Sequence, residues 1–184
     1  LCAWRTFSAQ VFPSIAIEIR ADGGKTRAST SVRPVVIIGI GNTLRQDDGL
    51  GPAAVERLRM RLNDPRVELL DVQSLTPELA STIWKARRVV FIDASEGLAP
   101  GTIQHRSVEC DEQADVSLVH FLSPEALLVW TGRLYGCVPL AEIWLMGIEQ
   151  VGLSESLTST IAAKLDDLVS AVYERVQQEL SGES

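Results

Sequence analysis

Apolar residues recur along this chain in two rhythms that take turns. An apolar run at 35–40 and nearly all-apolar runs at 88–94 and 142–148, with a more mixed run at 67–72, are short enough for strands. Runs lacking polar alternation suit strands covered on both faces. Between them the spacing shifts to the helical period. Over 51–62, Ala53, Ala54, Val55, Leu58 and Leu62 make one face, and Glu56, Arg57, Arg59 and Arg61 the other. Asn63-Asp64-Pro65 ends that helix. A second helix is predicted over 77–86, with Pro77 in its first turn. A third opens with Ser123 as N-cap and Pro124 at N1 and stops at Gly136. A long amphipathic helix begins near residue 154, its stripe running through Leu157, Ile161, Leu165, Leu168, Val169, Val172, Val176 and Leu180. That stripe reads as core packing. After the Pro100-Gly101 turn, 102–107 is a short edge strand, and 108–122, without a clear period, is a loop.

Strands alternating with helices predict an α/β fold: a three-layer sandwich with a mostly parallel twisted sheet, an antiparallel edge strand and helices on both faces. The length of 184 residues suits one core-bearing domain. Residues 1–32 depart from the pattern. Basic, Ser and Thr residues are scattered through them, and the apolar run at 11–19 is broken by Pro13 and Ser14. They are read as a disordered N-terminal extension, without the charge order of a secretory signal. The domain then covers 33–184.

Composition narrows the function. The net charge is −7, from 17 basic and 24 acidic residues, which disfavours nucleic-acid and anionic-membrane partners. No apolar run approaches the roughly 20 residues needed to span a bilayer. The three cysteines, Cys2, Cys110 and Cys137, are far apart and form no thiolate zinc motif, so a reducing, cytoplasmic setting is expected.

The first strand runs into Gly39-Ile40-Gly41-Asn42 and then Asp47-Asp48-Gly49-Leu50-Gly51. A dinucleotide fingerprint needs a third glycine where Leu44 stands, and two aspartates would repel a pyrophosphate. Ligands of open α/β sheets sit beyond the carboxyl ends of the strands. Asp48 follows strand one, Asp93 ends strand three, and His120 lies in the loop before helix three. Each has an ordinary structural role available: helix cap, turn former, surface residue. Together they form an oxygen–nitrogen donor set of the kind first-row divalent metals accept. Asn42 is expected to fix the glycine turn through its side chain, and Asp47 to cap the helix or orient the loop. Zincin and nucleophile-elbow motifs are absent. Cys137 reads as structural and His105 as an exposed edge-strand residue.

Those pieces, in their order and spacing, resemble the hydrogenase maturation endopeptidases: the glycine–aspartate signature, Phe91-Ile92-Asp93-Ala94, Pro100-Gly101 and His120-Phe121-Leu122-Ser123-Pro124. The resemblance runs from about residue 35 into the last helix. It implies an aspartic-type endopeptidase that removes the C-terminal peptide from the nickel-loaded large-subunit precursor of a nickel–iron hydrogenase. It further implies that Asp48, Asp93 and His120 contact nickel carried by that precursor, so that the substrate's own metal is the recognition element. Where some members carry Glu, this chain has Asp48. The chemistry stays open between metal polarisation of the peptide carbonyl, a metal-activated water, and general-base help from Asp48 or Asp93. Two alternatives keep the same scaffold: a metal-independent acid–base hydrolase, and a non-enzymatic nickel or precursor docking module. Glu109, Asp111, Glu112 and Asp115 make the loop before His120 acidic, which suits a basic residue near the cut.

Overall fold

In a computed structural model of the chain, residues 34–111 and 122–182 are described. The extension over 1–32, His120, Glu112 and Asp115 lie outside them.

Five strands form one sheet in the order β2-β1-β3-β5-β4. Strands β1 (Val35–Ile40), β2 (Val67–Val72), β3 (Arg88–Ser95) and β5 (Leu140–Gly147) are mutually parallel, and β4 (Ile103–Val108) closes one edge antiparallel to β5. Every residue of β1 is buried, as expected of a strand flanked by neighbours and covered on both faces. The edge strand β2 is only partly buried.

Two cores lie on opposite faces of the sheet. On one, α1 (Leu50–Arg61) and α4 (Ser159–Ser181) pack Leu58, Leu168 and Val172 onto Ile37, Val90 and Ile92. On the other, α2 (Ala80–Ile83) and α3 (Pro124–Tyr135) bring Ile83 and Leu127 against Val36, Ile38 and Phe91. The alternating side chains of β1 and β3 thus feed both layers, and the expected three-layer α/β sandwich is the observed fold. Helix α3 has the anticipated ends. Ser123 Oγ accepts from the Ala126 N–H at 3.1 Å, and Gly136 adopts φ 69° just past the last turn.

Two helices depart from the periodicity. In place of a helix over 77–86 there is a 3₁₀ turn, Pro77–Leu79, and a single turn of α-helix. The buried residues there, Ala80, Ile83 and Ala86, recur every third position, and the Arg87 N–H already bonds the Pro34 carbonyl where β1 and β3 begin to pair. Helix α4 starts at Ser159 and not near 154, because the segment before it is held by a buried carboxylate described below.

Candidate functional site

The turn after β1 is built by close backbone approach. A Cβ on Gly39 would sit 2.3 Å from the Gly51 carbonyl oxygen, and one on Gly51 would sit 2.3 Å from that of Ile40, so α1 starts directly against the strand. Gly41, at φ +139°, lies against the Asp48 carbonyl, where a side chain would have 1.8 Å. The motif glycines therefore fold the loop back on β1. Asn42 acts as expected: its Oδ1 accepts from the Leu44 N–H at 2.9 Å.

Within the 3₁₀ turn Gln46–Gly49, the two aspartates take opposite directions. Gln46 has φ 54°, unusual for a residue with a side chain, and its N–H bonds the Ser154 carbonyl at 2.8 Å. Asp47 is fully buried. Its Oδ1 accepts from the Thr158 N–H at 2.7 Å, and its Oδ2 accepts from the Glu149 N–H, the Gln150 N–H and the Thr158 hydroxyl at 3.0–3.2 Å. Asp47 thus orients the loop between β5 and α4. It does not cap α1, whose N-cap is Gly49. Asp48 is half-buried, and its Oδ2 accepts from the Asn42 N–H at 3.1 Å. It does not serve as the cap of α1 either, so its carboxylate is available to the cleft.

Asp93 stands at the carboxyl end of β3, next to β1, with its Oδ1 accepting from the Ala94 N–H at 2.8 Å. Burial pushes its carboxyl up from the usual 3.8 to about 6; the Ala94 N–H opposes this, and the nearby charge of Asp48 adds to it. Asp48 and Asp93 line one cleft of about 410 Å³, together with Arg45, Gln73, Ser74 and the start of α3. Its rim at Leu122-Ser123-Pro124 directly follows the segment that carries His120.

The parallel order of β1 and β3 therefore brings two of the three expected residues together, and the third falls outside the described residues. Among the described residues no group of three His, Cys, Asp or Glu side chains could hold a metal ion. Two carboxylates alone offer oxygen donors and need a further ligand to complete such a set. Arg45, Gln73 and Ser74 were not singled out from the sequence. The signal for Gln73 and Ser74 was their position just beyond β2, another carboxyl end on the same sheet edge.

The remaining candidates are ordinary. His105 is exposed and stacks on Trp144, with ring centroids 4.3 Å apart. The Cys137 thiol donates to the Trp84 carbonyl at 3.3 Å, and both described cysteines, Cys110 and Cys137, are free of disulfides. No helix among the described residues is long and apolar enough to cross a membrane.

Comparison with known proteins gives a consistent pattern, although no family model matches the chain. The hydrogenase 2 maturation protease of Escherichia coli (strain K12) is 26% identical over 152 residues, covering 76% of this chain and 91% of that protein. The hydrogenase expression/formation protein HupD of Thiocapsa roseopersicina is 39% identical over 80 residues, or 42% of this chain; the match spans only 35% of HupD. Among solved structures, the hydrogenase maturating endopeptidase HybD from E. coli superposes with a TM-score of 0.65 at 24% identity, covering 79% of this chain and 93% of HybD. The hydrogenase maturation protease HycI from Thermococcus kodakarensis KOD1 gives 0.64 at 23%, covering 77% and 91%. The chain shares the fold of these proteins, and its homologues are named hydrogenase maturation proteases or endopeptidases.

Proposed function

We propose that this chain is a hydrogenase maturation endopeptidase that cleaves the C-terminal peptide from the nickel-loaded large-subunit precursor of a nickel–iron hydrogenase. The observation that carries the reading is the pairing of Asp48 with Asp93. They reach one cleft from the carboxyl-end side of adjacent parallel strands, and among the described residues no cation is among the influences on the Asp93 carboxyl. Two carboxylates kept close, with no cation bonded to either among the described residues, are costly to stability, which suits a cleft that waits for a positively charged guest. The match over 91% of the E. coli protease supports the reaction class.

On this reading Asp48, Asp93 and His120 contact the nickel that the precursor brings, and the precursor's own ligands complete the coordination. The metal is then part of the substrate and serves as the checkpoint for cleavage. Held there, the ion would polarise the scissile carbonyl or activate a water. The contribution of the chain itself is orientation and proton transfer. Before the precursor binds, burial holds the Asp93 carboxyl up at about 6, and a nickel ion brought to it would favour the ionised, metal-binding form.

The test is the intact mass of the cognate large-subunit precursor after incubation with this protein, nickel-loaded and nickel-free forms side by side. Loss of a C-terminal peptide from the loaded form alone is the expected result. Cleavage of both forms would keep the peptidase and remove the nickel checkpoint. No cleavage of the loaded cognate precursor would overturn the enzymatic reading in favour of a docking module.

A further inference from the structure

Among the described residues, the cleft holds one positive residue beside its two carboxylates. Arg45 lines the same space as Asp48 and Asp93, is exposed, and has no hydrogen bond or ion pair from its guanidinium among the described residues. That is unusual here. Of the ten described arginines, eight use the guanidinium on a carboxylate, a carbonyl or a hydroxyl. The other exception, Arg133, sits in the last turn of α3, where a cation suits the helix dipole. Arg45 has no such explanation. It stands three residues from Asp48, yet Asp48 takes its hydrogen bond from Asn42 and Asp93 from Ala94.

Its backbone is fixed, while its guanidinium has no partner among the described residues. The Arg45 N–H donates to the Asn42 carbonyl at 2.9 Å, its carbonyl accepts from the Asp48 N–H at 3.2 Å, and its backbone bridges to Ser154. A guanidinium carried on an anchored turn loses less freedom when it binds than one on a mobile loop. Arginine presents a planar fork of donors that matches a carboxylate in two parallel hydrogen bonds.

We propose that Arg45 is a specificity-determining residue that binds a carboxylate of the substrate segment entering the cleft. This rests on the proposed function in that the segment is taken to be the C-terminal part of the precursor. The carboxylate has two possible sources, an acidic side chain of the segment to be removed or the chain terminus itself. Asp48, Asp93 and Arg45 all line the cleft, which therefore presents both signs of charge to a bound segment. A bound segment is then oriented with its cationic or metal-bearing part toward the aspartates and its acidic group toward the arginine.

The experiment measures affinity and processing separately, using the nickel-loaded cognate precursor in three forms. One is unaltered, one has the acidic side chains of its removable segment changed to amides, and one is extended by three glycines to displace the terminal carboxylate. Wild type, Arg45→Lys and Arg45→Gln are compared by surface plasmon resonance and by KM and kcat. Arg45→Gln is expected to weaken binding and raise KM of the unaltered precursor about five- to tenfold, with kcat held within about twofold and Arg45→Lys in between. The penalty should vanish on one altered precursor, and which one identifies the source. Equal affinity and KM for wild type and Arg45→Gln would overturn the inference while leaving the endopeptidase intact. An effect on kcat alone, or a penalty that persists on both altered precursors, would overturn it too. Arginine-dependent binding without cleavage by wild type would instead remove the enzymatic reading and keep this one. Absence of binding by wild type would remove both.

Discussion

The two ends of the sheet treat buried carboxylates in opposite ways. Toward the amino ends of β3 and β5, Glu142 is nearly inaccessible and is held by Arg88 at 3.1 Å and Arg175 at 3.2 Å, with the His105 ring nitrogen 3.5 Å away. Glu179 on α4 extends the cluster through Arg87 and Arg175. At the carboxyl ends, Asp48 and Asp93 share a cleft, and among the described residues their only hydrogen-bond partners are backbone N–H groups. The same sheet thus neutralises one set of charges and leaves the other unpaired. The difference is the one the proposed function calls for: a carboxylate bonded to two arginines is committed to the fold, and a pair without such bonds is open to a guest.

The sharpest way to break that comparison is at Asp48. Asp48→Asn keeps the shape and an oxygen able to accept from the Asn42 N–H, but it removes the charge. Processing of the loaded precursor should fall by about a hundredfold or more while the melting temperature stays close to wild type. Mass spectrometry of the precursor alongside a thermal melt checks this, and undiminished turnover would sink the assignment.

The opposite end should respond the other way. Glu142→Ala strips Arg88 and Arg175 of their most buried partner. A loss of about 2–4 kcal/mol is expected, in keeping with removing one member of a largely buried ion pair and softened by Glu179 nearby. Urea unfolding measures it, and the folded fraction should process precursor at the wild-type rate. A variant with unchanged stability would mean that the amino-end cluster is no better organised than an exposed pair.

Much of this division could be read from the chain, and the reasons for the rest are physical. Strands β1 and β2 appear at the predicted residues because local apolar content decides a strand covered on both faces, or one at the edge of a sheet. Asp48 and Asp93 could be found because parallel strand order turns sequence position into sheet edge. The start of α4 could not. Residues 154–158 carry helical spacing, but Asp47, over a hundred positions earlier in the chain, takes the Thr158 N–H and hydroxyl and holds the segment out of the helix. Periodicity does not register a tertiary hydrogen bond of that range. Arg45 escaped for a related reason. As a sequence it is one polar residue inside a motif, and its significance lies in the partners it lacks.

The smallest effect concerns stability at the site itself. The Asp93 carboxyl is raised to about 6 in the folded chain from an ordinary 3.8. For a carboxyl raised on folding, the neutral form is the one the fold favours. Its contribution is therefore fully present below about pH 4 and is lost as pH climbs through about 6. A shift of that size amounts to about 2 kcal/mol once partial exposure is allowed for. Asp64, partly buried and lowered to about 2 by Arg66, slopes the opposite way at lower pH, so the wild-type curve mixes signs. The difference between wild type and Asp93→Asn removes that mixture. In the metal-free protein the two should be nearly equal at pH 4, and the variant should be more stable at pH 7 by about 2 kcal/mol, while its processing of precursor is lost. Chemical denaturation at both pH values decides it. A variant no more stable than wild type at neutral pH would mean that the cleft already relieves the charge of Asp93, and that its carboxylates are less poised than their lack of cationic partners implies.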